Sequence, residues 1–353
     1  MPETRHVLAD PLHSDGSPVA EAPREILRRQ IARLEAGEIT ATFASELEFY
    51  AFKQPFSELH ETGYTAMQPL YHRHGDNDLL VASLFAPFVE EVQVALAASR
   101  IEVDQIQAEG GTGQIEINVA PDRAMASADN HIVFKHIVKC VAHKLGRSVT
   151  FLAKPFEKDA GSGGHVHLSL HDAHGQNLIG DDSGQLTTFG RHFIAGLAAY
   201  TPELTLLHAP YVNSYRRLVP GSYAPLRSSW GYDNRAAMIR LLTGSSGTRF
   251  ELRLPGADVN PYICYSGLIA AGLAGVQNEI PLPEPLVGDT GPAANVIPAD
   301  LGEAIAAFAG SDLATEAFTP AVKQHILCHA RNELQASRRI VSPWEMERGF
   351  ENA

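Results

Sequence analysis

Two histidines one residue apart, His165 and His167 in GSGGHVHLSL (161–170), carry chemistry in their spacing. Side chains alternate along a strand, so His165, His167 and Ser169 share one face while Val166, Leu168 and Leu170 share the other. Alone, this fits a half-buried strand with two solvated histidines equally well. The pattern recurs, however, in three further runs. SELEFY sets Glu46 and Glu48 opposite Leu47 and Phe49, GQIEINV sets Gln114, Glu116 and Asn118 opposite Ile115, Ile117 and Val119, and RFELRLP sets Glu251 and Arg253 opposite Phe250, Leu252 and Leu254. Carboxylates on one exposed strand face are ordinary. Four such strands side by side would gather Glu46, Glu48, Glu116, His165 and Glu251 on one surface, where packed carboxylates repel unless cations neutralise them. Glu109, just before the turn GGTG, can join them. Oxygen donors with one or two imidazoles and no thiolate suit Mg²⁺ or Mn²⁺ better than structural zinc. One histidine then completes a metal site and the other faces a neighbouring ligand.

A second cluster is cationic. No lysine occurs between Asp159 and Val322, yet Arg216, Arg217, Arg227, Arg235, Arg240, Arg249 and Arg253 crowd that segment. Guanidinium binds carboxylate or phosphate through a planar fork that lysine cannot copy, although scattered arginines can equally pair with surface acids. Divalent cations facing several arginines are the equipment for moving a phosphoryl group onto an anionic acceptor.

The elements that must position these residues read as a mixed order of helices and strands. Strands are expected at Thr42–Phe52, Gly113–Val119, Ser148–Phe151, Gly164–Leu170 and Arg249–Leu254. A helix should start at Pro23 and end at Gly37, with others near Asp78–Arg100, where Pro87 marks a kink or break, and near Asn130–Leu145, Thr188–Tyr200 and Tyr262–Val276. Residues 1–23 read as an extended segment, residues 24–353 as the main domain, and 281–298 as a loop before a helical part at about 299–353. The 353 residues, 44% hydrophobic, suffice for a large core, and the formal charge of −13 argues against nucleic acid or anionic membranes as partners. Cys140, Cys264 and Cys328 lack metal or redox spacing and read as core thiols in a reducing compartment. The N-terminus has no apolar leader, and the best apolar run, around Ser266–Val276, is too short to span a bilayer, so the expected location is cytoplasmic.

These blocks resemble the catalytic domain of glutamine synthetases, most closely the γ-glutamylamine (polyamine-type) ligases. The resemblance is carried by ELEFY (46–50), EGGTGQIEIN (109–118), GSGGHVHLSL (161–170), NSYRRLVPGSYAP (213–225), WGYDNRAAMIR (230–240) and RFELRLPGADVNPYICYSGLIAAGL (249–273), in the family's order. It implies an α+β fold of the guanido-kinase-like kind, a curved antiparallel sheet with helices on its outer face. It implies ATP with two or three Mg²⁺ or Mn²⁺ ions. Glu48, Glu109 and Glu116 would hold the cation nearer the acid substrate, and Glu46, His165 and Glu251 the one bridging the ATP phosphates. Arg217 and Arg253 would grip the glutamate carboxylate with Gly161 near its amino end. Arg235, Arg240 and Arg249 would line the transferred phosphate, with His167 and Ser169 beside the nucleotide. The implied reaction joins glutamate to an amine through a γ-glutamyl phosphate. A catalytically silent paralogue that binds nucleotide or glutamate, or assembles with full-length relatives, is the alternative, but all six cation-ligand positions are retained. A dimetal hydrolase built on the histidine pair would need a regular βα order that is absent.

Three departures bear on substrate. Tyr223, in GSYAP, stands where glutamine synthetases carry a flap glutamate for ammonium, which favours a larger amine. Ala160 and Ser246 replace an asparagine and a nucleotide-contacting lysine. The family's small N-terminal β-grasp domain precedes the point where this sequence starts. Without it the site should be open on the amine side and the expected homo-oligomer weaker.

Overall fold

The computed structural model describes residues 6–181, 183–244, 247–289 and 294–351; Ser246 lies outside them. In chain order the elements begin with α1 (Pro23–Glu35), β1 (Thr40–Phe52), α2 (Phe56–Glu61), α3 (Leu79–Ala98), β2 (Val103–Ala108), β3 (Gln114–Val119), β4 (Asp122–Arg123), α4 (Ala124–Lys144) and β5 (Ser148–Thr150). There follow β6 (Gly164–His171), α5 (Thr188–Leu204), α6 (Ser214–Arg217), β7 (Trp230–Tyr232), β8 (Ile239–Leu242), β9 (Arg249–Leu252) and α7 (Pro261–Gln277). Four helices close the chain: α8 (Leu301–Gly310), α9 (Asp312–Ala317), α10 (Pro320–Ser337) and α11 (Pro343–Gly349).

Among the described residues nine strands form one sheet, ordered β2-β3-β1-β6-β9-β8-β7, with β4 and β5 paired to β1. The expected antiparallel sheet is corrected at one edge, where β7 and β8 run parallel, so the sheet is mixed. The alternation of β1 does what the sequence implied. Phe43, Leu47 and Phe49 are fully buried on one face, each contributing about 2 kcal/mol by leaving water. Phe43 stacks on Tyr265 of α7 at 4.2 Å between ring centroids, and Phe49 meets Phe88 of α3 and Phe151. One polar residue on that face, Ser45, is satisfied by Tyr265 Oη at 2.7 Å and His131 Nδ1 at 2.9 Å. Helices α1, α5 and α7 pack over the β6–β9 half of the core, and α3 and α4 over the β1–β3 half.

Pro87 does not break α3, which runs unbroken from its Asp78 cap. The proline lies on the solvent side, where water can satisfy the carbonyl it leaves unpaired. By length and composition α3 is apolar enough to cross a membrane, a property the sequence reading had not noted; here Phe85, Phe88, Val92 and Leu96 are buried in the core. The cysteine expectation is also corrected, since Cys264 is buried, Cys140 half-buried and Cys328 exposed.

Candidate active site

Strand register brings the acidic rows together on the polar face. Glu48 pairs with Glu116, Glu46 with His165, His167 with Glu251, and Glu251 in turn with Arg240. Residues from five strands, far apart in sequence, therefore meet across neighbouring ladders.

At the β6–β9 end, His165 Nδ1 lies 3.1 Å from Glu46 Oε2 and 3.3 Å from Glu251 Oε1. His167 Nε2 lies 2.7 Å from Glu46 Oε1, so both imidazoles address one carboxylate. Glu46, His167 and Glu251 also present ligand atoms within 4.8 Å of one another. Glu251 is fully buried and pairs with Arg253 and, at 3.0 Å, with Arg240. The sequence picture of Glu251 as one of a purely repelling set is thus corrected. Burial alone would raise its pKa, but His165 and Arg253 hold it below the usual carboxylate range. Glu46 is likewise held low by its hydrogen bonds to His165 and His167 against the cost of burial.

The β1–β3 end differs. Glu48 Oε2 accepts from Gly163 N–H and from the Gln114 amide, both at 2.8 Å, yet burial and the neighbouring Glu109 charge push its pKa up to about 7. Glu116 is pushed up to about 10 by burial and by Glu46, Glu48 and Glu109. Glu109, held by the Gln107 amide at 2.8 Å, is raised mainly by burial. Buried carboxylates that raise one another's pKa, with no thiolate among them, have the donor chemistry of a hard divalent cation site. Asn118 Oδ1 and His167 Nδ1, buried without hydrogen-bond partners among the described residues, lie on the same face. The residues present therefore fit the cations that the resemblance implies.

The glycine run has a packing cause. A Cβ on Gly163 would stand 2.6 Å from His165 Nε2 and 2.7 Å from Glu48 Oε1, and one on Gly161 would stand 2.7 Å from Arg217 Cγ. Only glycine lets this backbone pass beneath the acidic set. Gln114 and Gly163 are site residues to which the sequence reading gave no role; GQIEIN showed the glutamine on the correct face, but nothing in it showed which carboxylate it holds.

The arginines divide. Arg253 reaches Glu251, and Arg240 bridges Glu251 and Asp233. Arg217 is buried, donating to the carbonyls of Leu254 at 2.9 Å and Arg253 at 3.1 Å, with Nη2 3.2 Å from His165 Nε2. Arg235 is exposed; with Arg240, Tyr232, Asn234 and residues 285–288 it lines a cleft of about 750 Å³. The sequence reading did not anticipate the wall at 285–288. Arg249 and Ser169 project to the polar face by strand alternation, Ser169 opposite Thr42. Tyr223 is not drawn into the acidic set: it is 81% exposed on the loop after α6.

Residues 20–349 match the family described as glutamine synthetase, catalytic domain. The chain belongs to that family. It is 39% identical over 350 residues to gamma-glutamylethanolamide synthetase GlnA4 of Streptomyces coelicolor, a match spanning 99% of this chain and 75% of that protein. It is 32% identical to the glutamate–isopropylamine ligase of a Pseudomonas species, over 98% of this chain and 77% of the relative. The solved structure of apo GmaS superposes with a TM-score of 0.85 at 28% identity, covering 96% of this chain and 79% of that one. The α+β assignment and the family resemblance are both borne out.

Proposed function

We propose that this chain joins glutamate to a primary amine larger than ammonia, at the expense of ATP, through a γ-glutamyl phosphate. Its class, an ATP-dependent carbon–nitrogen ligase, goes with the family. The convergence of Glu46, Glu48, Glu116, His165 and Glu251 on one face, with arginines at one end, is the observation that carries the reading. A silent paralogue has no need for that set.

In this reading Glu48, Glu109 and Glu116 hold one divalent cation, and Glu46, His165 and Glu251 another, Mg²⁺ or Mn²⁺. When bound, they offset the repulsion between the nucleotide phosphates and the substrate carboxylate. Arg235, Arg240 and Arg249 steady the phosphoryl group as its bond to ADP breaks and a bond to the γ-carboxylate oxygen forms. Arg253 faces the glutamate carboxylate. Arg217 acts from beneath, its guanidinium committed to the carbonyls of Arg253 and Leu254, and Gly161 leaves room at the amino end. His167 and Ser169 border the nucleotide. The neutral amine then attacks the acyl carbon, the bond from that carbon to the phosphate oxygen breaks, and the departing phosphate takes up the proton the amine loses. Tyr223 is the flap residue facing the amine, and a neutral phenol offers ammonium no counter-charge. Residues 24–353 would work as one catalytic unit in a cytoplasmic homo-oligomer.

The test is a panel of ammonium, alkylamines, ethanolamine, diamines and polyamines with ATP, Mg²⁺ and glutamate, scored by phosphate release and amide mass. Amide formation from at least one amine above the ammonium rate is expected. Preference for ammonium over every amine would overturn the substrate reading, and absence of any glutamate-dependent ATP turnover would overturn the ligase reading.

A further inference from the structure

The loop that carries Tyr223 grows directly out of α6. Within it the hydrogen bonds are local: Ser222 Oγ donates to the carbonyls of Val219 at 2.7 Å and Arg217 at 3.2 Å. It is attached to the rest of the protein at both ends: past its far end Leu226 O accepts from Ile297 N–H at 3.0 Å, and at its root Arg217 of α6 donates to the carbonyls of Leu254 and Arg253 and two further residues are tied down. Ser214 Oγ donates to Asp258 Oδ2 at 2.6 Å while accepting from Tyr211 N–H at 3.1 Å, and Asn213 exchanges two bonds with the Lys154 backbone. Asp258 lies on the loop after β9, whose start carries Arg253 and whose backbone is bonded to the glycine run: Ala257 N–H donates to Ser162 O and Gly164 N–H to Pro255 O, both at 3.0 Å.

Asp258 is thus a carboxylate at the junction of three site segments, and it is expensive there. Its Oδ1 is sealed from solvent without a hydrogen-bond partner among the described residues, and a Cβ on Gly256 would stand 2.6 Å from that atom. Burial raises its pKa. The compensating cations are Lys135, which donates to Val259 O at 3.1 Å, one residue along, and Arg217. A buried carboxylate with one unsatisfied oxygen destabilises unless the other oxygen does something a neutral residue would do less well, and charge-assisted hydrogen bonds are about twice as strong as neutral ones.

We propose that Asp258 is a positioning residue for the flap: through Ser214 it fixes α6, and with it the loop 218–225, against the segment that carries Arg253. It touches no reacting atom. Its effect is on where the flap closes over the amine, so its loss weakens use of the amine while leaving the nucleotide end untouched. The kinetic part of this rests on the ligase reading above; the anchoring itself does not.

The test uses the full chain with Ser214→Ala, Asp258→Ala and Asp258→Asn. Hydrogen exchange should speed about tenfold across residues 214–225 in the two alanine variants and in the asparagine variant far less, since an amide oxygen still accepts from Ser214. In steady state the alanine variants should show amine KM raised about tenfold and amide formed per phosphate reduced, with KM for ATP unchanged, and Asp258→Asn should restore both to within about threefold. Ser214→Ala, the smaller change, keeps the test decisive if Asp258→Ala fails to fold. Unaltered exchange at 214–225 in Ser214→Ala overturns the anchor. Faster exchange with equal losses in all kinetic constants overturns the flap role. Faster exchange in a protein whose parent makes no amide sinks the ligase reading and leaves the anchor standing.

Discussion

The two ends of the polar face use the same residue, glutamate, in opposite electrostatic states. At the β6–β9 end Glu251 is paired with Arg240 and Arg253, Glu46 is hydrogen-bonded to His165 and His167, and both carboxyls are held low. At the β1–β3 end Glu48, Glu109 and Glu116 face one another, Glu48 and Glu109 bonded to amide donors, and burial with mutual repulsion outweighs the Arg217 charge near Glu48, so their carboxyls are pushed up. Burial is similar, so neighbours decide the sign. One end must take a cation from outside to hold its charges. At the other, a cation has to share its carboxylates with arginines, which ties cation placement there to the groups expected to meet phosphate.

The largest effect should come from Glu251→Ala. It removes a proposed cation ligand and leaves Arg253 and Arg240 without their shared buried partner. Turnover should fall by about three orders of magnitude, and stability by about 3 kcal/mol, as for a broken buried pair. Phosphate release and a thermal melt check both, and turnover within tenfold of the parent would remove Glu251 from the mechanism. Glu116→Gln should separate the two ends. Turnover should drop about a hundredfold, yet without divalent cation Tm should rise, because a carboxyl that must take up a proton on folding has gone. A lower Tm in chelator would show that the β1–β3 carboxylates are already compensated from within.

That contrast has a pH signature. The Glu116 carboxyl is raised from its ordinary 4.5 to about 10, so its contribution to stability is present below pH 4.5 and is lost as pH rises towards 10. Buried His131 and His208, whose pKa values are lowered, drift the opposite way over the mildly acidic range, so the informative quantity is a difference. In chelator, the Tm of Glu116→Gln minus that of the parent should be near zero at pH 4.5 and widen steadily to pH 9, and saturating Mg²⁺ should shrink it. A difference that does not grow with pH would break the assignment of Glu116 to the repelling end.

Much of this site was legible because strand alternation is a strict rule: ELEFY and IEIN cannot place their acids anywhere but opposite Leu47, Phe49, Ile115 and Ile117. Which end would repel and which would pair was not legible. That depends on register between strands far apart in sequence, such as His167 opposite Glu251, and on Arg240 of β8 lying opposite the same glutamate. The strand β2 escaped notice because VDQIQA, at the sheet edge, has no clean apolar alternation; β7 and β8 are only three and four residues long. The commitment of Arg217 to backbone carbonyls was equally invisible, since NSYRRL gives no sign of what the chain folds against.

The smallest effect expected is at Tyr223, which belongs to neither end. At 81% exposure its side chain buries little, so Tyr223→Glu should leave Tm unchanged within about a degree, in keeping with surface substitutions elsewhere. Its consequence should lie in choice of nucleophile alone. A carboxylate on the flap attracts ammonium and adds little for an amine whose hydrocarbon body meets the phenol, so the ratio of kcat/KM for ammonium to that for the best amine should rise by about tenfold. The two cation ends should not notice, and the Mg²⁺ dependence of turnover with the best amine should stay that of the parent. If the ratio is unmoved, the amine is selected by other walls of the cleft. If the Mg²⁺ dependence moves as well, the flap reaches the β1–β3 carboxylates when closed, and the separation between flap and cation sites has to be redrawn.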